Sequence, residues 1–371
     1  MTNLSKNVIR GVKLAVSCAF FFILFSFVQG NELLAMFKRI DWLYLCLSFL
    51  LIPVMLSASC LKWRVVLGER AGHIPFLQLL RIYAIGYFFS NLLPSTVGGD
   101  VVRSYYAGRL LGSQSHAAVS IFIERFTGIM LLFFLVAAAP LLYPRLYLIP
   151  YVWVPALAGV VLLAISCFLF IASDPLALPR RVFAALLRML RALASASGSE
   201  KAQRGVGAIE HGSDRLLRKL QSVREELDRA IATFREDTLY LMQVAGLTIF
   251  FYFLTWVNVY ISFRAFGVAP DFWAVCALVP AILFAAHLPV TLLGNLGYFE
   301  SVFVFYFLLI GIPGAETLAM GILLRLKMLS MGVIGYIAFL FYSQDRDLEM
   351  ETLKDIAARQ HPNEHNEPEH K

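Results

Sequence analysis

Long apolar runs separated by short polar stretches fill most of the chain. They cover roughly residues 14–30, 42–60, 76–97, 117–143, 148–172, 239–263, 273–290, 299–313 and 318–342. Most reach the ~20 residues that a helix needs to cross the apolar core of a bilayer. A segment in that core must satisfy its own backbone hydrogen bonds, which a helix does. The pattern predicts an all-α polytopic membrane protein with about seven to nine hydrophobic helical segments.

Two of the runs are broken. Leu93, Pro94, Ser95, Thr96, Val97, Gly98, Gly99, Asp100, Val101, Val102 and Arg103 interrupt the third. Leu288, Pro289, Val290, Thr291, Leu292, Leu293, Gly294, Asn295, Leu296, Gly297, Tyr298, Phe299 and Glu300 interrupt the stretch from 273 to 313. Pro94 and Pro289 stand 195 positions apart, and the two breaks share Leu, Pro, Thr and Gly before an Asp or Asn. Irregular backbone at membrane depth survives only where protein or a polar cavity surrounds it. A pair of such breaks in matching halves points to a transport site. Both elements are expected to be re-entrant or broken.

The runs divide the chain into an N-terminal membrane half (1–172), a polar insert (173–238), a C-terminal membrane half (239–343) and a polar tail (344–371). In the insert, Ala194 to Gly212 is rich in Gly, Ser and Ala and reads as a linker. Leu216, Leu220, Val223, Leu227, Ile231 and Phe234 then follow at helical steps, predicting an amphipathic helix on the membrane or the bundle. The tail is polar and acidic and is expected to be disordered. His361, His365 and His370 are scattered among Asn, Glu and Pro and do not resemble a metal site.

Composition strengthens the membrane reading. Of 371 residues, 59% are hydrophobic and 15% charged, against roughly half and a quarter in soluble domains. The five cysteines, at 18, 46, 60, 167 and 276, lie in or beside apolar runs without CxxC spacing and read as small buried hydrophobes. The run Leu14–Val28 follows Lys6, Arg10 and Lys13 but precedes no small-residue cleavage site, so a retained signal anchor is expected.

Loop charge sets orientation. Lys6, Arg10 and Lys13 precede the first run; Lys62, Arg64, Arg70 and Arg81 follow the second. Twelve Lys and Arg lie in 173–238. All these positive stretches share one side if 76–116 enters and returns. The N-terminus, the insert and the C-terminus are then cytoplasmic, in the inner membrane. If 76–97 crosses fully, everything after it inverts.

Charge within the runs carries the candidate chemistry, because each instance costs a few kcal/mol and asks for a partner or a water path. The candidates are Arg81, Asp100, Arg103, Glu124, Arg125, Glu300, Arg325 and Lys327. Glu124 and Arg125 are neighbours about 100° apart on a helix, so each is expected to reach a different partner. Arg103 can neutralise Glu124, and Asp100 can neutralise Arg125. Such pairs can simply lock the bundle. Lys327 is the better placed to snorkel, and Arg325 to stay inside.

Arginines converging on glycine-broken half-helices also suit an anionic head group, since guanidinium forks match phosphate and half-helix N-termini add donors. Gly98, Gly99, Gly294 and Gly297 allow close backbone approach, either by a ligand or by a packed helix. The candidate substrate site therefore comprises Arg103, Arg125, Arg325, Asp100, Glu124, Glu300, Asn295 and those glycines, with Pro94 and Pro289 as structural breaks. His287, beside the second break, is either a substrate contact or a structural histidine.

No P-loop, GxSxG, HExxH or dinucleotide fingerprint is present. No cofactor, metal or nucleic acid is expected, and an enzymatic role is disfavoured.

With these residues in hand, the chain resembles the lysylphosphatidylglycerol synthase transmembrane-region family of flippase-like integral membrane proteins. The resemblance rests on Leu93-Pro94 with Gly99, Asp100 and Arg103, then Glu124-Arg125, then Pro289 with Gly294 to Gly297 and Glu300, then Arg325. It spans about residues 10–343. Asn295 stands where the family often has a second glycine. The resemblance implies movement of anionic phospholipids, or of polyprenyl-linked or glycosylated lipids, across the cytoplasmic membrane. Members that also synthesise aminoacylated lipid carry a soluble transferase domain; none is expected in the polar stretch after Tyr342, and a transporter-like module is the expectation. The alternative is an accessory subunit or a membrane-embedded lipid-modifying protein, for example a partner of a glycosyltransferase.

Overall fold

The computed structural model describes residues 37–92, 97–143, 149–171, 236–286 and 297–360, with isolated positions 146, 229 and 232. The described residues form nine α-helices and no strand. The helices are α1 (Trp42–Leu67), α2 (Phe76–Leu92), α3 (Val97–Leu111), α4 (Gln114–Leu142) and α5 (Pro150–Ile171), then α6 (Thr238–Arg264), α7 (Phe272–Ala286), α8 (Tyr298–Leu308) and α9 (Gly314–Gln360). Segments of α1, α4, α6 and α9 are each long and apolar enough to cross a membrane. Most of their apolar residues face outward, as Leu50, Phe134, Phe253 and Ile337 do. In water such a surface would drive association; in lipid it is the matched solvent. The chain is a multi-pass membrane protein.

Local sequence sets the ends of the long helices. The Asp41 carboxylate accepts from Leu43 N–H at 2.9 Å and starts α1. Ser113 and Asp237 begin α4 and α6 the same way, accepting from His116 N–H at 3.3 Å and Tyr240 N–H at 3.0 Å. A side-chain oxygen at this position satisfies a donor the helix cannot. Two limits differ from the sequence reading. Helix α1 runs on to Leu67, so Lys62 and Arg64 are helical rather than loop charges. Helix α9 runs to Gln360, past residue 344, where the sequence reading begins the polar tail. Residues 344–360 are mostly Glu, Asp, Leu, Lys, Arg and Ala and contain no Gly or Pro; the next breaker is Pro362.

The order spanning helix, two short helices, spanning helix occurs twice: α1 to α4, then α6 to α9. Helices α2 and α3 form an antiparallel hairpin, because Gly99 lies against Ser90 and Arg103 against Tyr83 and Gly86. Helices α7 and α8 also fold back. At their tip Tyr298 donates to the Ala285 carbonyl at 3.0 Å, and at their base Phe272 and Phe307 both lie against the end of α6. The hairpin legs have 17, 15, 15 and 11 residues. At 1.5 Å per residue each is shorter than the ~30 Å hydrocarbon core.

The two units have opposite polarity. Asp41 N–H, at the start of α1, donates to Ala265 C=O, just beyond α6, at 2.8 Å. At the other end Val66 packs with Val244 and Tyr240. Helices α1 and α6 are thus antiparallel, and the hairpins that follow them enter from opposite ends of the pair. The packing is reciprocal as well. Helix α2 lies on α9 through Phe88 and Tyr336, and α7 lies on α4 through Phe284 and Phe133. One hydrophobic core, with Trp63, Leu67, Leu79, Ile82 and Ala107, belongs to the first unit. A second, with Phe263, Leu278, Phe303, Phe307 and Met320, is built mostly from the second. The described part of the chain is an inverted repeat.

Candidate functional site

In the first unit, α3 brings Arg103 against α4. Its guanidinium donates to the Glu124 carboxylate, and both side chains are nearly enclosed, at 3% and 5% exposure. The other Glu124 oxygen accepts from Tyr83 Oη of α2 at 2.7 Å. The guanidinium lies over the rings of Tyr83 (4.2 Å) and Trp63 (4.6 Å), so aromatic faces as well as a carboxylate stabilise the cation. Trp63 is fixed by donating to Ser120 Oγ at 3.0 Å. Lys62 of α1 donates to the Glu124 backbone carbonyl at 2.9 Å. Four helices of the unit therefore meet at one glutamate, α2 and α3 at its carboxylate and α1 at its backbone carbonyl.

Arg125 points elsewhere and donates to Asp100 of α3 at 3.0 Å. This pair is open, with the Arg125 side chain 49% exposed. Asp100 sits in the first turn of α3, where a negative charge is favoured by the exposed N–H groups. The adjacent residues Glu124 and Arg125 reach different partners, and those partners are Arg103 and Asp100.

In the second unit, Glu300 of α8 accepts from Arg325 Nε of α9 at 2.8 Å through one oxygen. Its other oxygen accepts from Gly297 N–H at 2.8 Å and caps α8. Gly297 has φ +80°, a conformation open to glycine at little cost. The unit carries the same kind of pair as the first with the charges exchanged: the hairpin supplies Arg103 in one and Glu300 in the other.

Lys327 differs from the sequence expectation. It does not snorkel; it is buried at 3% exposure, donating to Asn258 Oδ1 at 2.6 Å and Ser262 Oγ at 2.7 Å of α6. Two hydrogen-bond acceptors on a facing helix hold it, which its own segment could not reveal. Arg325 is the more exposed of the two. Arg81 is exposed near the start of α2. Sequence reasoning missed the enclosure of Lys62 and the roles of Tyr83, Trp63, Asn258 and Ser262. Asn258 and Ser262, one turn apart in an apolar run, were the available signal.

Of the glycines in the first break, Gly99 serves packing. A Cβ at Gly99 would strike Ser90 and the Gly86 carbonyl, so glycine lets α2 and α3 touch. Gly98 is half-buried beside it in the first turn of α3. Pro94, Pro289, Gly294, Asn295 and His287 lie outside the described residues. Among the described residues no group of three or more His, Cys, Asp or Glu side chains could hold a metal.

The model of the lysylphosphatidylglycerol synthase TM region family matches residues 11–335. The chain belongs to that family. Membership makes this lysylphosphatidylglycerol synthase TM region protein a membrane protein related to lipid modification or transport. The match covers the first repeat unit, the second as far as residue 335, and the pairs Arg103–Glu124, Asp100–Arg125 and Glu300–Arg325. No curated protein and no solved structure matches the chain.

Proposed function

We propose that this chain is a lipid translocase module of the cytoplasmic membrane. Its cargo is an anionic phospholipid or a polyprenyl-linked or glycosylated lipid. The observation that carries the reading is the inverted repeat of two broken hairpins, each bringing a charged residue to a partner on the following long helix. Oppositely oriented repeats let one unit rock against the other and expose a polar path first to one side and then to the other. The two hairpins are read as re-entrant from opposite faces. The N-terminus and the 173–238 insert are read as cytoplasmic.

In this mechanism Arg103, Arg125 and Arg325 receive the phosphate, while Glu124, Asp100 and Glu300 hold them in its absence. Arg125 is the entry point, being the most open of the three. Lipid tails stay in the bilayer against the outward apolar faces. Only the head group then passes the polar groups, which removes the cost of burying an unpaired charge.

The test is transfer of head-group-labelled phosphatidylglycerol between leaflets of vesicles containing the purified chain. Transfer above that of protein-free vesicles, lowered at least tenfold by Arg125→Ala with the fold intact, is expected. Transfer no faster than in protein-free vesicles, repeated with a labelled polyprenyl phosphate, would sink the reading.

A further inference from the structure

The last helices of the two units, α4 and α9, each carry a glycine inside the membrane-spanning segment shortly after the charged positions: Gly128 follows Arg125, and Gly332 follows Lys327. In a regular helix the Gly128 N–H meets the Glu124 carbonyl, and the Gly332 N–H meets the Met328 carbonyl. Each of these two carbonyls also accepts from a side chain of another helix. Lys62 Nζ of α1 donates to the Glu124 carbonyl at 2.9 Å, and Asn91 Nδ2 of α2 donates to the Met328 carbonyl at 3.0 Å. Just ahead of each glycine a hydroxyl bonds back one turn, Thr127 to the Ile123 carbonyl at 2.9 Å and Ser330 to the Leu326 carbonyl at 2.8 Å. In α4, Tyr252 of α6 adds a bond to the Gly128 carbonyl at 3.0 Å.

These contacts lower the cost of a bend. Glycine is a poor helix former, and Ser or Thr bonding back to the i−4 carbonyl favours bending. Opening a helix in lipid strands backbone groups unless neighbouring helices or hydroxyls satisfy them. Here the Glu124 and Met328 carbonyls, which a bend would free, already hold a second donor, and so does the Gly128 carbonyl. The glycine N–H can move to a carbonyl three or five residues back, as in a local 3₁₀ or π turn. Close packing does not account for Gly128: a Cβ there would meet Lys62 Nζ at an ordinary 3.7 Å and nothing nearer. At Gly332 it would meet the tip of the Asn91 side chain at 2.9 Å.

The glycines also stand where each helix changes neighbours. Before Gly128, Ala117 and Ile121 lie in the first unit's core; beyond it, Leu132 and Val136 pack with Tyr252 and Phe284 of the second unit. Before Gly332, Met320 and Leu323 lie in the second unit's core; beyond it, Tyr336 and Phe339 lie against Phe88 and Phe89 of the first hairpin. A bend at either glycine therefore turns one unit's core against the other unit's hairpin.

We propose that Gly128 and Gly332 are paired hinges on which the two units rock, with Lys62, Tyr252 and Asn91 as positioning residues that hold the opened backbone. For its role in transport this rests on the translocase reading, and it says where that motion occurs. Glu124 and Arg125 then move with the first unit, and Arg325 with the second.

Hydrogen–deuterium exchange of the full chain in phosphatidylcholine nanodiscs, read by mass spectrometry on peptides of α4 and α9, tests the hinges. The turns at Gly128 and Gly332 are expected to exchange faster than the turns on either side. Gly128→Ala, for which there is room, should slow the first by about fivefold, the gap between Gly and Ala in a helix. An unchanged rate overturns the proposal. Tyr252→Phe and Asn91→Leu separate a hinge from a pin. If the hydroxyl and the amide hold the opened backbone, their loss makes opening harder and slows exchange at Gly128 and Gly332 respectively. Simple pins between straight helices would give faster exchange when lost, and faster or unchanged exchange overturns the proposal. Should Asn91→Leu not fold, Tyr252→Phe, the milder change, decides. Transfer of labelled phosphatidylglycerol between leaflets is expected to fall by a similar factor in Gly128→Ala. Wild-type transfer in that variant, with its exchange slowed, overturns the hinge as part of transport. Hinge-like exchange in a wild type that moves no lipid keeps the hinges and rejects the translocase reading.

Discussion

Glu300 divides its carboxylate between its own helix and Arg325, one oxygen accepting from Gly297 N–H and the other from Arg325 Nε, both at 2.8 Å. The residue that starts α8 is therefore also the one that ties the hairpin to α9. Removing Glu300 therefore loses the cap and the ion pair together.

Replacing Glu300 by Ala is expected to lower stability by about 3–5 kcal/mol, because Arg325 keeps its charge without its carboxylate. Adding Arg325→Leu should recover the ion-pair part and leave about 1 kcal/mol for the lost cap. Thermal unfolding of the single and double variants in one detergent checks this. Equal losses in both would show that the pair contributes nothing.

Tyr83 both donates to Glu124 and underlies Arg103. Tyr83→Phe keeps the ring and removes the hydroxyl, so a loss of about 1.5–3 kcal/mol, typical of a hydrogen bond to a charged group, is expected. Tyr83→Leu removes the ring as well and should cost a further ~1 kcal/mol or more. Unfolding midpoints that rank Phe below Leu would contradict the arrangement.

Gly99 is where the first hairpin closes. Gly99→Ala places a Cβ against the Gly86 backbone, which cannot swing aside as a side-chain tip can. A loss of about 1–3 kcal/mol is expected from the overpacking. Pairing it with Ser90→Gly should recover only part, since the Gly86 carbonyl remains. Melting curves of the two variants measure the difference.

The opposite polarity of the repeats can be read from outside. Glu69 and Ala269 are exposed just beyond α1 and α6. In a cysteine-free background, Glu69→Cys and Ala269→Cys should react with a membrane-impermeant maleimide from opposite sides. Labelling of both from one side would refute the antiparallel pairing of α1 and α6.

The apolar runs by themselves determined the helical membrane class and the positions of most helices, because a bilayer demands long apolar segments whatever their neighbours. The breaks near Pro94 and Pro289 were legible for the same reason, as was the divergence of Glu124 and Arg125, which follows from helical periodicity. Charge within a run marked Arg103, Glu300 and Arg325. Only the tertiary structure decided which way the second unit runs, since antiparallel packing of α1 on α6 depends on contacts between residues some 200 positions apart. It also decided that Lys62 and Lys327 lie inside. A lysine in an apolar run can reach toward water or turn inward, and its own segment reads the same in both cases. For Lys327 the facing Asn258 and Ser262 made the inward choice, and for Lys62 the Glu124 carbonyl did.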